Sequence, residues 1–487
     1  MLFKKVLIAN RGEIAVRVIR TLKEMSIRSV AIYSEADSQS LHRFLADEAY
    51  PLKGVEAKDT YLNIEAIIRV AKKCEAEAIH PGYGFLSQNP KFVKRVEEED
   101  IVFIGPSARI HEFAGDKVGA RKKVKEEGFP IVPGTLDPLS GVDEVVEAAE
   151  KIGYPVILKP VFGGGGVGMK VFYSPEEIVE GISQLQKLAK SAFGESLVYV
   201  ERYFPEARHI EVQILGERKG RVLHLFEREC SVQRRFQKVI EEAPSPALDE
   251  ETREKLFETA VGIARSIGYV NAGTVEFIYV PSLKQFFFIE LNSRIQVEHP
   301  ITEMITGVDI VREQINIAYY GTTSLPDEIT RRGHAFEARI YAEDPLNNFA
   351  PSPGKITQYL PPSGPGVRVD GYAYPGYEIP PFYDPLIAKL IVWDENRDKA
   401  IKRMLRALDE FVVKGIATNI PLHKAVFKNS SFVKGDYNTR FLEKSGVLEV
   451  LKEEKGVDIP EPVIEKKEVK IKSVNVWKLS ARLNFLR

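Results

Sequence analysis

The sequence predicts a multidomain protein of mixed α/β and α+β class, and three observations lead there. Short apolar strand patterns alternate with amphipathic helix patterns through about the first 100 residues. A glycine-rich run, Gly163 to Gly168, then separates two short strand patterns. Beyond it, a series of strand patterns from Arg208 onward ends in Phe288-Ile289-Glu290-Leu291-Asn292-Ser293-Arg294-Ile295-Gln296-Val297-Glu298-His299, which is dense in charged and amide groups. A chain of 487 residues is too long for one core, so about two to four domains are expected.

The bulk properties exclude several classes. Hydrophobic residues at 44% and charged residues at 28% describe a soluble globular protein. With 68 basic against 69 acidic residues there is no electrostatic reason to expect nucleic acid as a partner. No apolar run is long enough to span a bilayer, so no membrane segment is expected. Only Cys74 and Cys230 occur, which excludes a disulfide framework and a cysteine zinc site and points to the cytoplasm.

Each element can be justified in order. The start, Met1 to Asn10, breaks at once into Arg11-Gly12-Glu13 and reads as a first strand over Lys5 to Asn10, not as a signal peptide. Glu13 to Met25 places Ile14, Val18, Leu22 and Met25 at helical spacing. Ser29 to Ser34 reads as a strand, Ile64 to Cys74 as a helix, and Ala78 to His80 and Ile101 to Ile104 as strands. Strands separated by helices imply a parallel sheet with right-handed crossovers.

A new unit begins near Gly115-Asp116-Lys117, with a helical stretch to Glu127 that Gly128-Phe129-Pro130 breaks. After a second helix comes the strand pattern Tyr154 to Pro160, then the glycines. A dinucleotide fingerprint needs a helix directly after its glycines, but a strand pattern, Met169 to Tyr173, follows and the helix starts at Pro175. A P-loop needs Gly-Lys-Ser/Thr, which is missing. The remaining readings are a mobile linker or a flap between antiparallel strands whose N–H groups cover phosphates, with Lys159 beside it as a counter-charge. Leu197 to Phe204 looks like a strand leaving this unit, either a core strand or one edge of a purine pocket.

Arg208 to Leu215 and Arg221 to Phe226 are further strands, followed by Gln233-Arg234-Arg235-Phe236-Gln237-Lys238. Cations this close repel one another unless anions sit among them, although an exposed basic loop is the plainer reading. In the final pair, Thr274 to Val280 and Phe286 to Asn292, residues two apart share a face, so Glu290 and Asn292 point the same way. If Pro281 to Gln285 is the loop, Val280 pairs with Phe286 and Glu276 faces Glu290. Two carboxylates and an amide oxygen there suit a hard cation, whereas an ordinary hairpin would turn the acids to water.

Asn10-Arg11-Gly12-Glu13-Ile14-Ala15, His80-Pro81-Gly82-Tyr83-Gly84-Phe85-Leu86-Ser87, the Lys159 glycine flap, Gln233-Arg234-Arg235 with Lys238, and Asn292 to His299 together resemble the biotin carboxylases of the ATP-grasp superfamily. The likeness is collinear from about Met1 to about Val450. It implies a Rossmann-like N-terminal domain over 1–114, an ATP-grasp domain over 115–330 with a mobile lid at about 131–205, a C-terminal domain over 331–447, and a tail or partner-docking segment over 448–487.

The resemblance also implies residue roles. Lys117, Lys159, Met169, Glu201, Arg202, Tyr203, Phe204, His209, Gln233, Phe236, Glu276 and Glu290 would bind ATP, with Gly164, Gly165 and Gly166 closing over its phosphates. Glu276, Glu290 and Asn292 would hold Mg²⁺ or Mn²⁺. Lys238, Arg294, Gln296 and the Val297 backbone would hold bicarbonate, and Glu298 would deprotonate it. Arg339 would stabilise the enolate-like biotin, and Tyr83 would line the biotin pocket.

Three positions depart from the family pattern: Phe162 stands where a glycine is usual, Val167 where an arginine is usual, and Phe236 where a polar residue is usual. Lys452 to Lys472 reads as a solvated linker, and Val474 to Leu479 as a strand for a partner. No Met-Lys-Met attachment site occurs, so biotin is expected on a separate carrier protein, with a separate carboxyltransferase and a homodimer within a larger complex. The acceptor is expected to be acetyl- or propionyl-CoA, with pyruvate or another 2-oxoacid as the alternative. A different ATP-grasp ligase would have no use for Arg294 to Glu298 followed by Arg339, and a silent ATP-binding regulatory subunit is set aside because every expected charge is present.

Overall fold

Five short strands form a parallel sheet in the order Glu48–Pro51, Arg28–Tyr33, Lys5–Ile8, Ala78–His80, Val102–Phe103. The structure, a computed structural model, describes residues 3–161, 169–193 and 196–455. Helices Gly12–Glu24 and Ile64–Lys73 supply the crossovers expected from the apolar periodicity. The strand order reverses between Lys5–Ile8 and Ala78–His80, the place where open α/β sheets leave a crevice. Asn10 ties the two loops at that crevice, donating from Nδ2 to Pro81 O and to Tyr83 O, both at 2.7 Å. Gly82 is required there: its φ is +63° and a Cβ would meet Asn10 Nδ2 at 2.9 Å.

The helical stretch expected to run to Glu127 is helix Lys117–Glu126, and a further helix, Ala108–Gly115, precedes it. Asp116 breaks them and caps Lys117–Glu126, its carboxylate accepting from Gly119 N at 2.9 Å. Above them, Lys170–Phe172, Val156–Pro160 and Val198–Arg202 form a small antiparallel sheet packed on helices Val142–Ile152 and Pro175–Phe193. The glycine run thus joins two antiparallel strands. Gly164, Gly165, Gly166, Phe162 and Val167 lie outside the described residues.

One antiparallel sheet of eight strands runs through the rest, in the order Gln285–Asn292, Asn271–Val280, Arg208–Gly216, Val222–Arg234, Gln237–Ala243, His334–Tyr341, Leu386–Asp394, Val367–Gly371. It therefore passes without a break from the segment expected as ATP-grasp into the segment expected as C-terminal. Phe336, Ala338, Leu390 and Val392 pack from it against Met404 and Leu408 of helix Arg397–Glu410. The segment expected as a tail begins as part of helix Val447–Lys455, anchored by buried Val447 and Leu451. The strand expected over Val474 to Leu479 lies outside the described residues.

Two local expectations need correction. Val280 pairs with Gln285, not Phe286, so the loop is one residue tighter. A β-bulge between Glu276 and Phe277 then shifts the register back, and Glu276 does face Glu290. Of the basic segment, only Arg235 and Phe236 form the exposed loop of the plainer reading, and Arg234, Gln237 and Lys238 lie in strands. Those two residues are the turn of a hairpin between Val222–Arg234 and Gln237–Ala243, at φ +50° and +67°.

Candidate active site

A cavity of about 640 Å³ opens between the three-stranded lid sheet and the eight-stranded sheet. Lys117, Lys159, Met169, Glu201, Arg202, Tyr203, Phe204, His209, Gln233, Phe236, Glu276 and Glu290 all reach its wall. So do Lys238, Asn292, Arg294, Gln296, Val297 and Arg339. Strand alternation explains the gathering: every second residue of the central strands faces the lid.

At the lid end, Glu201 is buried between two cations. Arg121 bonds one carboxylate oxygen and Lys159 Nζ lies 2.5 Å from the other. Burial alone would raise the Glu201 pKa, but Lys159 and Arg121 outweigh it and hold the group ionised. Lys159 is thereby pinned at this end of the cavity. Phe204 stacks on Phe287 with centroids 5.7 Å apart, giving this end an apolar wall.

The acids of the bulged hairpin form the middle of the site. Glu276 Oε1 accepts from Lys238 Nζ (3.0 Å), Asn292 Nδ2 (2.8 Å) and Gln296 Nε2 (2.8 Å), and Oε2 lies 2.6 Å from His209 Nε2. Burial works to raise its pKa, but Lys238 and His209 pull it well below the ordinary carboxylate range. Asn292 Nδ2 also donates to Glu290 Oε1 at 3.2 Å, and Lys117 Nζ lies 3.4 Å from Glu290 Oε2. Two carboxylates and an amide brought together on paired strands are a donor set that fits a hard divalent cation.

Beyond it sits a knot of opposite charges. Lys238 Nζ donates to Glu211 Oε2 (2.5 Å), Glu276 Oε1 (3.0 Å) and Glu298 Oε1 (2.8 Å). Arg339 Nη2 holds the other Glu298 oxygen at 2.9 Å. Arg294 is braced by Gln88 Oε1 (2.7 Å) and Gln296 Oε1 (2.6 Å). Glu298 does not itself reach the cavity wall; it is fully buried behind Lys238 and Arg339. Burial pushes its pKa up, yet Lys238, Arg339 and Arg228 prevail and hold it far down.

Three known-protein comparisons bear on this arrangement. The family model "Biotin carboxylase, N-terminal domain" matches residues 2–110, "Carbamoyl-phosphate synthase L chain, ATP binding domain" matches 116–325, and "Biotin carboxylase C-terminal domain" matches 337–444. Biotin carboxylase 1 of Bacillus subtilis is 51% identical over 92% of this chain and 100% of its own length. The chain belongs to the biotin carboxylase family. Its members are ligases that carboxylate biotin with ATP and bicarbonate. A pyruvate carboxylase subunit of Methanothermobacter thermautotrophicus is likewise 51% identical, over 91% of this chain and 90% of its own. Among solved structures, the biotin carboxylase domain dimer of Hydrogenobacter thermophilus 2-oxoglutarate carboxylase, in complex with MgADP, ADP and bicarbonate, superposes with a TM-score of 0.89. It is 47% identical, covering 92% of this chain and 99% of that one.

Tyr83 of this biotin carboxylase does not reach the cavity wall. Its hydroxyl donates to Glu13, whose carboxylate lies 3.2 Å from Lys389 Nζ, and that ammonium donates to Val297 O at 2.8 Å. Tyr83 thus stands behind the Val297 backbone, across a buried ion pair. Reading the sequence alone missed Glu211, Arg228, Arg121 and Lys389. Arg228 Nε donates to Glu211 Oε1 at 2.5 Å, so Glu211 bridges Arg228 and Lys238. A signal for Glu211 existed: His209, Glu211 and Gln213 alternate along one strand, placing three polar groups on one face of a buried sheet.

Proposed function

We propose that this chain carboxylates biotin carried on a separate protein, passing through carboxyphosphate. Three segments would divide the work: 1–114 beside the biotin pocket, 115–330 around the nucleotide, and 331–447 supplying Arg339. The observation that carries the reading is Lys238, whose ammonium touches Glu276 on the nucleotide side and Glu298 on the anion side.

Lys117 and Lys159 would meet the phosphates of ATP, with Gly164, Gly165 and Gly166 above them. Glu276, Glu290 and Asn292 would hold Mg²⁺ or Mn²⁺, which when bound neutralises phosphate charge during the transfer. Lys238, Arg294, Gln296 and the Val297 backbone would receive bicarbonate. As Lys238 turns to that anion its hold on Glu298 weakens, and the carboxylate becomes basic enough to take the bicarbonate proton. The bicarbonate oxygen attacks the γ-phosphorus and ADP departs. Carboxyphosphate then breaks to CO₂ and phosphate, phosphate removes the biotin N–H proton, and the nitrogen attacks CO₂. Arg339 would stabilise the enolate-like ureido oxygen, in a cavity kept dry by the closed lid.

We infer a biotin carboxyl carrier protein and a carboxyltransferase as partners, a homodimer within the complex, and a cytoplasmic setting. For the acceptor, the segments Arg339 to Pro345 and Tyr383 to Leu390 support acetyl- or propionyl-CoA. A 2-oxoacid is the second reading, favoured by the equal identity to the pyruvate carboxylase relative and by the 2-oxoglutarate carboxylase likeness. The test is ADP release: it should require bicarbonate and rise with free biotin. Bicarbonate-independent hydrolysis that ignores biotin would refute the proposal. Identifying the carboxyltransferase that copurifies with the native protein decides the acceptor.

A further inference from the structure

Two buried acids adjoin this site without belonging to its expected chemistry. Glu241 and Glu337 are directly paired across strands Gln237–Ala243 and His334–Tyr341, so their side chains leave the sheet on one face. Directly paired Cβ atoms stand about 5 Å apart. Both residues are fully buried, and among the described residues none of their four carboxylate oxygens has a hydrogen-bond partner. Glu241 Oε1 does lie 2.6 Å from Arg339 Nη2, an ion-pair contact without the alignment of a hydrogen bond. That nitrogen is the one that also holds Glu298 Oε2 at 2.9 Å.

We propose that Glu241 and Glu337 share one proton as a buried carboxyl–carboxylate pair, and that the single charge of this pair positions Arg339 for biotin. Glu337 and Glu241 are thus positioning residues, acting through Arg339. The inference rests on the role given to Arg339 above.

The charges around the pair support one proton. Arg339, Lys389 and Lys238 face it as cations, and Glu298 as an anion, with Glu13 behind Lys389. His299, on the helix packed against both strands, is buried and held neutral, its pKa driven down by burial and by Lys389 and Arg17. Lys389 is already committed to Glu13 and Val297 O, and Lys238 to Glu211, Glu276 and Glu298. Two full negative charges at the pair would therefore share Arg339 alone, whereas like charges this close cannot both ionise cheaply. Burial, followed by the mutual repulsion, lifts the Glu337 carboxyl far above its ordinary range; burial outweighs Arg339 to bring Glu241 to about 7. A shared proton also gives one orphaned oxygen of each acid a partner. While Lys238 and Glu298 are drawn toward bicarbonate, Glu241 would remain as the anchor for Arg339.

Two measurements test this. The infrared difference spectrum of the wild-type protein minus Glu337→Gln should show a neutral carboxyl stretch at neutral pH that moves on exchange into D₂O. Absence of that band overturns the shared proton, whatever the enzyme's activity. In kinetics, Glu241→Gln should raise the KM for free biotin at least tenfold while bicarbonate-dependent ATP hydrolysis without biotin stays within about threefold, and Glu241→Asp should restore part of the loss. Wild-type biotin carboxylation should fall as alkaline pH removes the shared proton, and Glu337→Gln should lack that fall, because its neutral amide cannot ionise. An unchanged biotin KM in Glu241→Gln, or an unchanged alkaline limb in Glu337→Gln, overturns the positioning role. Loss of bicarbonate-dependent hydrolysis in the wild type would instead overturn the proposed function itself.

Discussion

The Lys238 ammonium donates to Glu298 at 2.8 Å, and the same nitrogen binds Glu211 and Glu276, so three buried carboxylates share one flexible cation. Arg339 and Arg228 complete the balance from either side. This economy would suit a site that opens to an incoming anion: under the proposed function, bicarbonate would displace carboxylates from Lys238 and need no new charge. Breaking the balance from the cation side is expensive, because buried carboxylates are then left unpaired.

Lys238→Gln should therefore cost both activity and stability. Bicarbonate-dependent ATP hydrolysis is expected to fall on the order of 100-fold, as for other lost charge contacts in catalytic sites. Denaturant titration at neutral pH should show a loss of about 3 kcal/mol. Equal stability with normal turnover would contradict the arrangement.

Glu290→Gln tests the cation site separately. Glu290 meets Asn292 at 3.2 Å and Lys117 at 3.4 Å but has no contact with Lys238. The Mg²⁺ concentration giving half-maximal hydrolysis should rise at least tenfold, because one hard anionic oxygen donor is lost. Thermal stability in the absence of Mg²⁺ should change little. An unaltered Mg²⁺ dependence would remove Glu290 from the ligand set.

Much of this was legible in the sequence, and the exceptions have physical causes. The N-terminal parallel sheet follows from strand and helix periods that switch cleanly at Asn10, Met25 and His80. Glu276 facing Glu290 was reached with the loop one residue too long, since a bulge leaves no mark when its residues are Glu276 and Phe277. The hairpin turn was hidden because Arg235 and Phe236 occupy left-handed conformations that glycine or asparagine normally announces. Glu241 and Glu337 escaped notice because a buried acid paired across strands looks, in one dimension, like an exposed one. What the sequence could not show of Tyr83 is its tie to Lys389, which depends on three segments meeting at Glu13.

A pH effect on stability is expected from Glu242, away from the cavity. Burial acts to raise its pKa, but Arg397 and His334 overcome this and bring it from 4.5 to about 2. A depressed acid stabilises fully above its unfolded pKa and loses that contribution as pH falls through the folded one. Roughly 3 kcal/mol should thus disappear between about pH 4.5 and pH 2. In Glu242→Gln that acid limb of the stability curve should flatten. An identical limb would show that Glu242 is not held ionised.

Arg339→Ala separates the two halves of the reaction. Arg339 reaches the cavity and is tied to Glu298 and Glu241, but it contacts neither Glu276 nor Glu290 among the described residues. Its loss should therefore leave most ATP binding intact, measurable by titration with nucleotide and Mg²⁺. Biotin carboxylation should fall below detection, because Lys238 and Arg294 are assigned to bicarbonate and Arg339 is the cation assigned to the developing ureido oxyanion. Bicarbonate-dependent hydrolysis without biotin should fall less, since Lys238 and Arg294 remain. It should still fall somewhat, because Glu298 loses the partner at 2.9 Å that fixes its second oxygen. If carboxybiotin forms at the wild-type rate, Arg339 is not the group that meets biotin, and the anchor on Glu241 loses its purpose as well.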